Sequence, residues 1–309
     1  MNSEKFYTNR RNIVLLATLC CILWGSAYPA IKGGYALFNI AGNDIPSKFI
    51  FAGYRFALAG LIVLAVQIMS RKNIFILKGR LIGQVTLLGF CQTTLQYIFF
   101  YVGLSYTTGI RSSIINGTGA FFSILLAHFI YKNDRLNLNK ILGCIVGFIG
   151  VIIVNLNGES LFGSSFSIQG EGFVMLAAFI LSAASIYGKK ITKDQDASTI
   201  TGYQLFIGGV VLLILGYAFG GSLSGFTLKS TSLLLYMALL SSIAFAVWTQ
   251  LLKYNKVGII SVFNFLVPIF GSLLSAIFLG ENIFDIKIFI SLIFVCAGIY
   301  LVYRVKSEE

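Results

Sequence analysis

Arg55 is the residue on which this sequence concentrates its chemistry. It lies about eight residues into an apolar stretch, roughly 12 Å along it at 1.5 Å rise per residue. An ionisable side chain at that depth is a functional candidate by default. A guanidinium there forks onto the two oxygens of a carboxylate or phosphate and stays charged at any working pH. The same side chain would alternatively snorkel toward outer headgroups or satisfy backbone carbonyls. Trp24 and Tyr28 are four apart and share a helical face. Gln92 and Gln96 are one turn apart with Tyr97 adjacent, Asn116, Thr118 and Ser123 interrupt another apolar run, and Asn264 precedes Pro268 by four residues. Amides facing lipid would leave donors unpaired at a cost of several kcal/mol, so they point into the bundle or into a wet cavity. Trp24, Tyr28, Arg55, Gln92, Gln96, Asn116 and Asn264 are therefore the candidate substrate-binding residues.

Other residues define the surroundings of such a site. Lys32 and Arg111 fall on the same predicted side as Arg55, where they would line an outer basic vestibule drawing in anions or act as interfacial anchors. Pro29 and Pro268 each remove a backbone donor inside an apolar run, which makes a gating hinge or a static kink. Trp248, Tyr203 and Tyr187 would extend an aromatic lining on the inner half, or simply pack. The single histidine, His128, lies near a helix end, where a structural role outweighs proton transfer. Asp44, Glu159, Glu171, Glu281 and Asp285 all fall at helix ends or in loops. No carboxylate is committed to the midplane, where ion-coupled carriers hold their relays, so facilitated exchange or weak coupling is expected. No Walker loop, GxGxxG, HExxH or Ser-His-Asp order is present, and no metal or cofactor is implied.

What must position these residues follows from composition. Of 309 residues, 57% are hydrophobic and only 11% charged, against about 25% charged in a soluble chain. A soluble enzyme is excluded on that ground. A bilayer core of ~30 Å asks for about 20 apolar residues per helix. Ten stretches qualify, roughly 13–35, 48–69, 81–101, 110–131, 139–156, 170–188, 200–219, 232–252, 257–279 and 285–303. The first is too long for a cleavable signal and is expected to be a retained helix.

The net charge of +12 comes in short basic runs between apolar stretches, without the aromatic-interleaved face of a nucleic-acid binder. With the amino terminus in the cytoplasm, Lys and Arg divide about 17 to the inner side and 6 to the outer. That is the positive-inside bias, and it predicts a multi-pass protein of the cytoplasmic membrane with both termini cytoplasmic. The five cysteines all lie in apolar stretches and behave as small hydrophobes.

An internal repeat decides the architecture. Gly109, Ile110, Ser112, Phe121, Ser123, Leu125, Ala127, Phe129 and Asn133 match Gly258, Ile259, Ser261, Phe270, Ser272, Leu274, Ala276, Phe278 and Asn282 at one constant offset. Gly53, Tyr54, Gly60 and Leu64 fall on Gly202, Tyr203, Gly209 and Leu213 at the same offset. In this register Arg55 is paired with Gln204, a fixed cation against a neutral amide. Five helices per half is an odd number, so the second half enters the membrane from the opposite side. The expected fold is an all-α integral membrane protein of ten transmembrane helices, two inverted five-helix repeats over 1–157 and 158–309.

The run Leu23-Trp24-Gly25-Ser26-Ala27-Tyr28 with Ile31-Lys32, the Tyr54-Arg55-Phe56 of the second stretch, and Phe265-Leu266-Val267-Pro268 ending in Leu279-Gly280-Glu281 resemble the EamA branch of the drug/metabolite transporter superfamily. The likeness covers nearly the whole chain. It implies a carrier of two inverted halves that exports amino acids or other small metabolites, with the fifth and tenth helices packed at the pseudo-symmetry axis. Gly119 departs from the pattern, standing where Pro268 has its counterpart, and Asp134 is the acid after the fourth helix. The expected function is alternating-access transport, amino acids first, with substrate between helices one to four and six to nine. Uptake of a vitamin, sugar-like or phosphorylated metabolite is the alternative within transport, and an intramembrane enzyme or lipid-modifying scaffold is the alternative outside it. The expected partners are a small-molecule substrate and the lipid bilayer, with monomer and homodimer both open.

Overall fold

A computed structural model describes residues 3–75, 77–107, 112, 115–154, 167–279 and 286–304, and all the regular elements among them are helices. After a short helix Ser3–Thr8 come α1 (Arg10–Leu37), α2 (Ile45–Met69), α3 (Arg80–Ser105), α4 (Ile115–Ile130), α5 (Leu138–Val154), α6 (Ile168–Thr192), α7 (Ala197–Ala218), α8 (Leu228–Tyr254), α9 (Val257–Phe278) and α10 (Ile286–Arg304). Eight of these are long and apolar enough to cross a membrane. The helices α4 and α5 are apolar but shorter, and residues 113–114 before the one and 155–166 after the other lie outside the described residues.

The helix starts are written locally. Asn9 accepts from the N–H groups of Arg11 and Asn12, Asp44 from Ser47, and Asp196 from Thr199, while Thr227 and Ser230 form a reciprocal capping box. Two of the few acids are thereby accounted for as caps.

Lipid gives apolar helices no reason to prefer one another over acyl chains, so close approach depends on small residues. The most extensive contacts run between α2 and α7 and between α5 and α10. At the first crossing, a Cβ on Gly53 would meet Leu213 at 2.7 Å and the Gly209 carbonyl at 2.9 Å, and one on Gly202 would meet Leu64 at 2.8 Å. At the second, a Cβ on Gly143 would fall 2.6 Å from the Gly298 carbonyl, and one on Gly150 would fall 2.8 Å from that of Ser291. Around these two seams α1 packs on α8 and α9, α6 on α3 and α4, α2 on α8, and α3 on α7.

Regular helix is interrupted in three places. In α3, residues Phe90–Leu95 form a π-turn, which widens the helix by one residue and is often found at functional sites. In α9, Val262–Phe265 tighten to a 3-10 turn ahead of Pro268, whose missing N–H cannot serve the Asn264 carbonyl four residues back. In α4 the chain turns at Thr118, just before Gly119.

Candidate functional site: a polar cavity around Arg55

Between these helices lies a cavity that encloses about 1260 Å³ when the open space at its mouth is included. All seven residues singled out from the sequence line it: Trp24, Tyr28, Arg55, Gln92, Gln96, Asn116 and Asn264. They reach it from α1, α2, α3, α4 and α9. Among the described lining residues Arg55 is the one charged side chain.

Arg55 is 2% exposed. Its Nε donates to Ser241 Oγ at 2.7 Å, and Ser241 in turn donates to the Met237 carbonyl at 2.8 Å, so α8 fixes the guanidinium plane. The guanidinium carbon lies 4.8 Å from the Phe56 ring centre. Its terminal nitrogens find no protein acceptor among the described residues, and these are the donors that fork onto an anion. This arrangement disfavours the snorkelling alternative, because the side chain is held inward by a buried hydroxyl.

The polar wall opposite is only partly self-satisfied. Gln92, inside the π-turn, donates to Ser185 Oγ at a long 3.4 Å. Gln96 has no protein hydrogen bond among the described residues although it is only 6% exposed. An amide so buried needs water or a ligand as partner. The aromatic part of the wall is built around Trp24, whose ring meets Phe245 at 5.5 Å and Trp248 at 5.1 Å, both edge-on.

The prolines sit where α1 and α9 touch. Pro29 leaves the Gly25 carbonyl without its helical donor, and a Cβ on Gly25 would lie 2.7 Å from that of Phe270 and 2.9 Å from the Gly271 nitrogen. Pro268 lines the cavity, whereas Pro29 is buried behind it.

The structure places the other singled-out residues one by one, on the cavity lining or apart from it. Lys32 is exposed and is not among the residues that line the cavity, and Arg111 lies outside the described residues. Trp248 lines the cavity, but Tyr187 and Tyr203 pack in a separate cluster with Val85 and Leu88, and the Tyr203 hydroxyl donates to the Ile74 carbonyl. Gln204, paired with Arg55 by sequence, is 2% exposed and accepts from Thr93 at 3.0 Å, an interhelical bond away from the cavity. His128 Nδ1 accepts from the Leu136 N–H at 3.0 Å and holds a turn. Lys140 and Lys189, two of the roughly 17 basic residues assigned to the inner side, are drawn into a polar network: Lys140 is 3% exposed and paired with Asp134 at 2.6 Å.

Sequence reasoning missed Ser182, Ser185 and Leu181 of α6 and Phe100 of α3. Ala178, Ser182 and Ser185 recur at helical spacing, which was the available signal. Among the described residues no three His, Cys, Asp or Glu side chains come together as a metal site.

Comparison with known proteins bears on the family and the fold. The EamA-like transporter family matches residues 11–156 and again residues 168–304. An uncharacterized transporter of Archaeoglobus fulgidus is 27% identical over 289 residues, covering 93% of this chain and 96% of its own. The uncharacterized transporter YvbV of Bacillus subtilis is 27% identical over 304 residues, covering 96% and 93%. A solved crystal structure superimposes at a TM-score of 0.78 over 97% of this chain and 100% of its own, at 16% identity, a likeness of fold alone. Eight membrane-length helices among the described residues, a cavity between them and the same family matched along both halves lead to one conclusion: this chain belongs to the EamA-like transporter family and is a membrane transporter.

Proposed function

We infer that the protein is an alternating-access carrier that exports small polar metabolites bearing an acid group, amino acids first, from the cytoplasm across the cell membrane. The observation that carries this reading is Arg55: a 2% exposed guanidinium on the cavity, with no protein acceptor for its terminal nitrogens and no Asp or Glu on the cavity wall among the described residues. A buried cation without a counter-charge is expensive, and a substrate carboxylate supplies that charge. The substrate body then lies against Trp24 and Tyr28, with Gln96, Asn116 and Asn264 to meet its polar groups. With no acid among the described residues of the cavity wall to relay a proton, facilitated exchange or weak coupling is the expected mode.

The architecture in this reading is two inverted five-helix halves, 1–157 and 158–309, with both termini cytoplasmic. The contacts support it, because exchanging the two halves maps them onto each other. The pairs α1–α8 and α1–α9 answer to α6–α3 and α6–α4, and α2–α8 to α7–α3. At the atomic level, Ser242 donates to the Ala59 carbonyl at 3.0 Å, and Thr94 to that of Gly208 at 3.0 Å. Arg55 with Ser241 answers likewise to Gln204 with Thr93. Pro29 and Pro268, at the close contact of α1 and α9, are the hinge points of this reading.

Purified protein in liposomes should give saturable amino-acid flux, and Arg55→Gln should lower flux of acid-bearing ligands. Flux linear in concentration would make the cavity a channel, and equal flux of acids by Arg55→Gln would remove the anchor. A thermal-shift screen of amino acids, nucleosides, vitamins and sugar phosphates identifies the ligand, since any binder stabilises the bundle by its concentration over its Kd.

A further inference from the structure

The end of the bundle that carries the Ser3–Thr8 helix is closed. The cavity wall stops there at Leu252 and Ser261, and beyond them Leu251, Val257, Ile259 and Ile260 are between 0% and 3% exposed. Over this apolar plug lies a polar network that the cavity does not use. Asp134, in the turn after α4, accepts at Oδ1 from Lys140 Nζ at 2.6 Å and at Oδ2 from the Gly258 N–H at 3.0 Å. The two side chains of that ion pair are 2% and 4% exposed. A second tie runs alongside: Lys189 of α6 donates to the Asn255 carbonyl between α8 and α9 and stands 5.3 Å from the Tyr131 ring centre. Asn255 Nδ2 donates to the Tyr7 carbonyl at 3.0 Å, so the amino-terminal helix is held as well.

The turn that presents Asp134 is built in advance. His128 Nδ1 accepts from the Leu136 N–H, Asn137 Oδ1 accepts from the Lys140 N–H at 2.9 Å, and the Asp134 N–H reaches the Tyr131 carbonyl at 3.2 Å. On the other side, a Cβ at Gly258 would come within 3.2 Å of Asp134 Oδ1, so glycine permits the approach. The specific ties between these segments are thus polar and reversible, laid over apolar packing of Val257, Ile259 and Ile260 against Ala127 and Ile186, while α9 immediately behind is a short α-turn, Val257–Ser261, followed by the 3-10 segment. A buried ion pair is a weak way to gain stability but a specific way to select one arrangement over another.

We propose that Asp134, Lys140 and Lys189 form a latch that holds this end of the cavity shut, with the first turn of α9 as the moving leaf. Release of the Gly258 N–H by Asp134, and of Asn255 by Lys189, lets Val257–Ser261 swing away and exposes Ser261 to this face. The inference rests on the alternating-access reading above, which requires this end to open in turn.

The test needs no identified substrate. In a chain with the five native cysteines replaced, Ser261→Cys is labelled with a membrane-impermeant methanethiosulfonate from each face of oriented liposomes. Asp134→Asn, Lys140→Met and Lys189→Gln are each added, with Lys140→Arg as the pair-preserving control. Amide exchange of the same latch variants in the native-cysteine chain is followed over residues 256–262 and over the α2–α7 crossing. Labelling from the face bearing the Ser3–Thr8 helix should rise at least tenfold in Asp134→Asn and Lys140→Met. Protection should be lost around 256–262 only, and Lys140→Arg should behave as the parent. Unchanged labelling in every variant overturns the latch, and saturable flux would then leave the carrier reading standing. Protection lost across the whole bundle assigns the pair to fold stability and also overturns it, as does a Lys140→Arg chain that opens like Lys140→Met.

Discussion

The hydrogen bond between Arg55 and Ser241 makes a quantitative prediction. At 2.7 Å, buried and with a charged donor, it belongs to the class whose net contribution is about 1.5–3 kcal/mol. Ser241→Ala leaves the Nε–H without its acceptor, and Arg55→Gln leaves the hydroxyl with only its bond to the Met237 carbonyl. Because each single variant destroys the same bond, the double variant should be less destabilised than the two singles summed, with a coupling of about 1.5–3 kcal/mol. The same bond orients the terminal nitrogens, so Ser241→Ala should also weaken binding of an acid-bearing ligand by about tenfold or more, one decade per 1.36 kcal/mol. Binding of the corresponding neutral amide should change far less, and Ser241→Thr should recover most of the loss. The assay is equilibrium unfolding of the four proteins in one detergent, followed by titration with the acid and its amide. Strict additivity of the single effects would show that Ser241 does not hold Arg55. An equal loss for acid and amide would show that the guanidinium is not an anion anchor.

Three further outcomes follow from other parts of the molecule. Gln96→Leu should cost little stability yet impair ligand binding, because its amide has no protein partner among the described residues; Gln204→Leu should cost about 1–3 kcal/mol by orphaning the Thr93 hydroxyl and spare binding, as thermal unfolding with and without ligand will read. Gly143→Val places a Cβ about 2.6 Å from the Gly298 carbonyl and should destabilise the α5–α10 seam by about 1–3 kcal/mol, seen as a lower unfolding midpoint and poorer monodispersity. Burial by itself would raise the Asp196 carboxyl, but Lys72 at 2.6 Å and the Thr199 N–H hold it below its ordinary range. Its contribution is therefore complete above the ordinary aspartate range and is lost as pH falls through the lowered value, so unfolding midpoints of Asp196→Asn should fall less between pH 6 and about 3 than those of the parent.

Much of this protein is legible without coordinates because lipid is a demanding solvent. Backbone polar groups must close on themselves, so the apolar runs had to be helices, and their limits agree with the structure to within a few residues at most ends. For the same reason the few polar side chains inside those runs had to face inward, which brought seven residues from five helices onto one cavity before any contact was known. What sequence left open was decided by helix rotation and crossing. Apolar residues surround Arg55 and Gln204 alike, yet rotation turns one to the cavity and the other to Thr93. Tyr187 and Tyr203 belong to a seam, since aromatic faces pack and line equally well. In the sequence Lys140 and Lys189 count only as inner-side basic residues; in the packed bundle Lys140 turns back onto Asp134 and the Arg135 carbonyl, and Lys189 reaches the Asn255 carbonyl between α8 and α9. Periodicity specifies that a side chain faces inward; which neighbour it meets there depends on helices far away in the chain, and that is a property of the packed bundle alone.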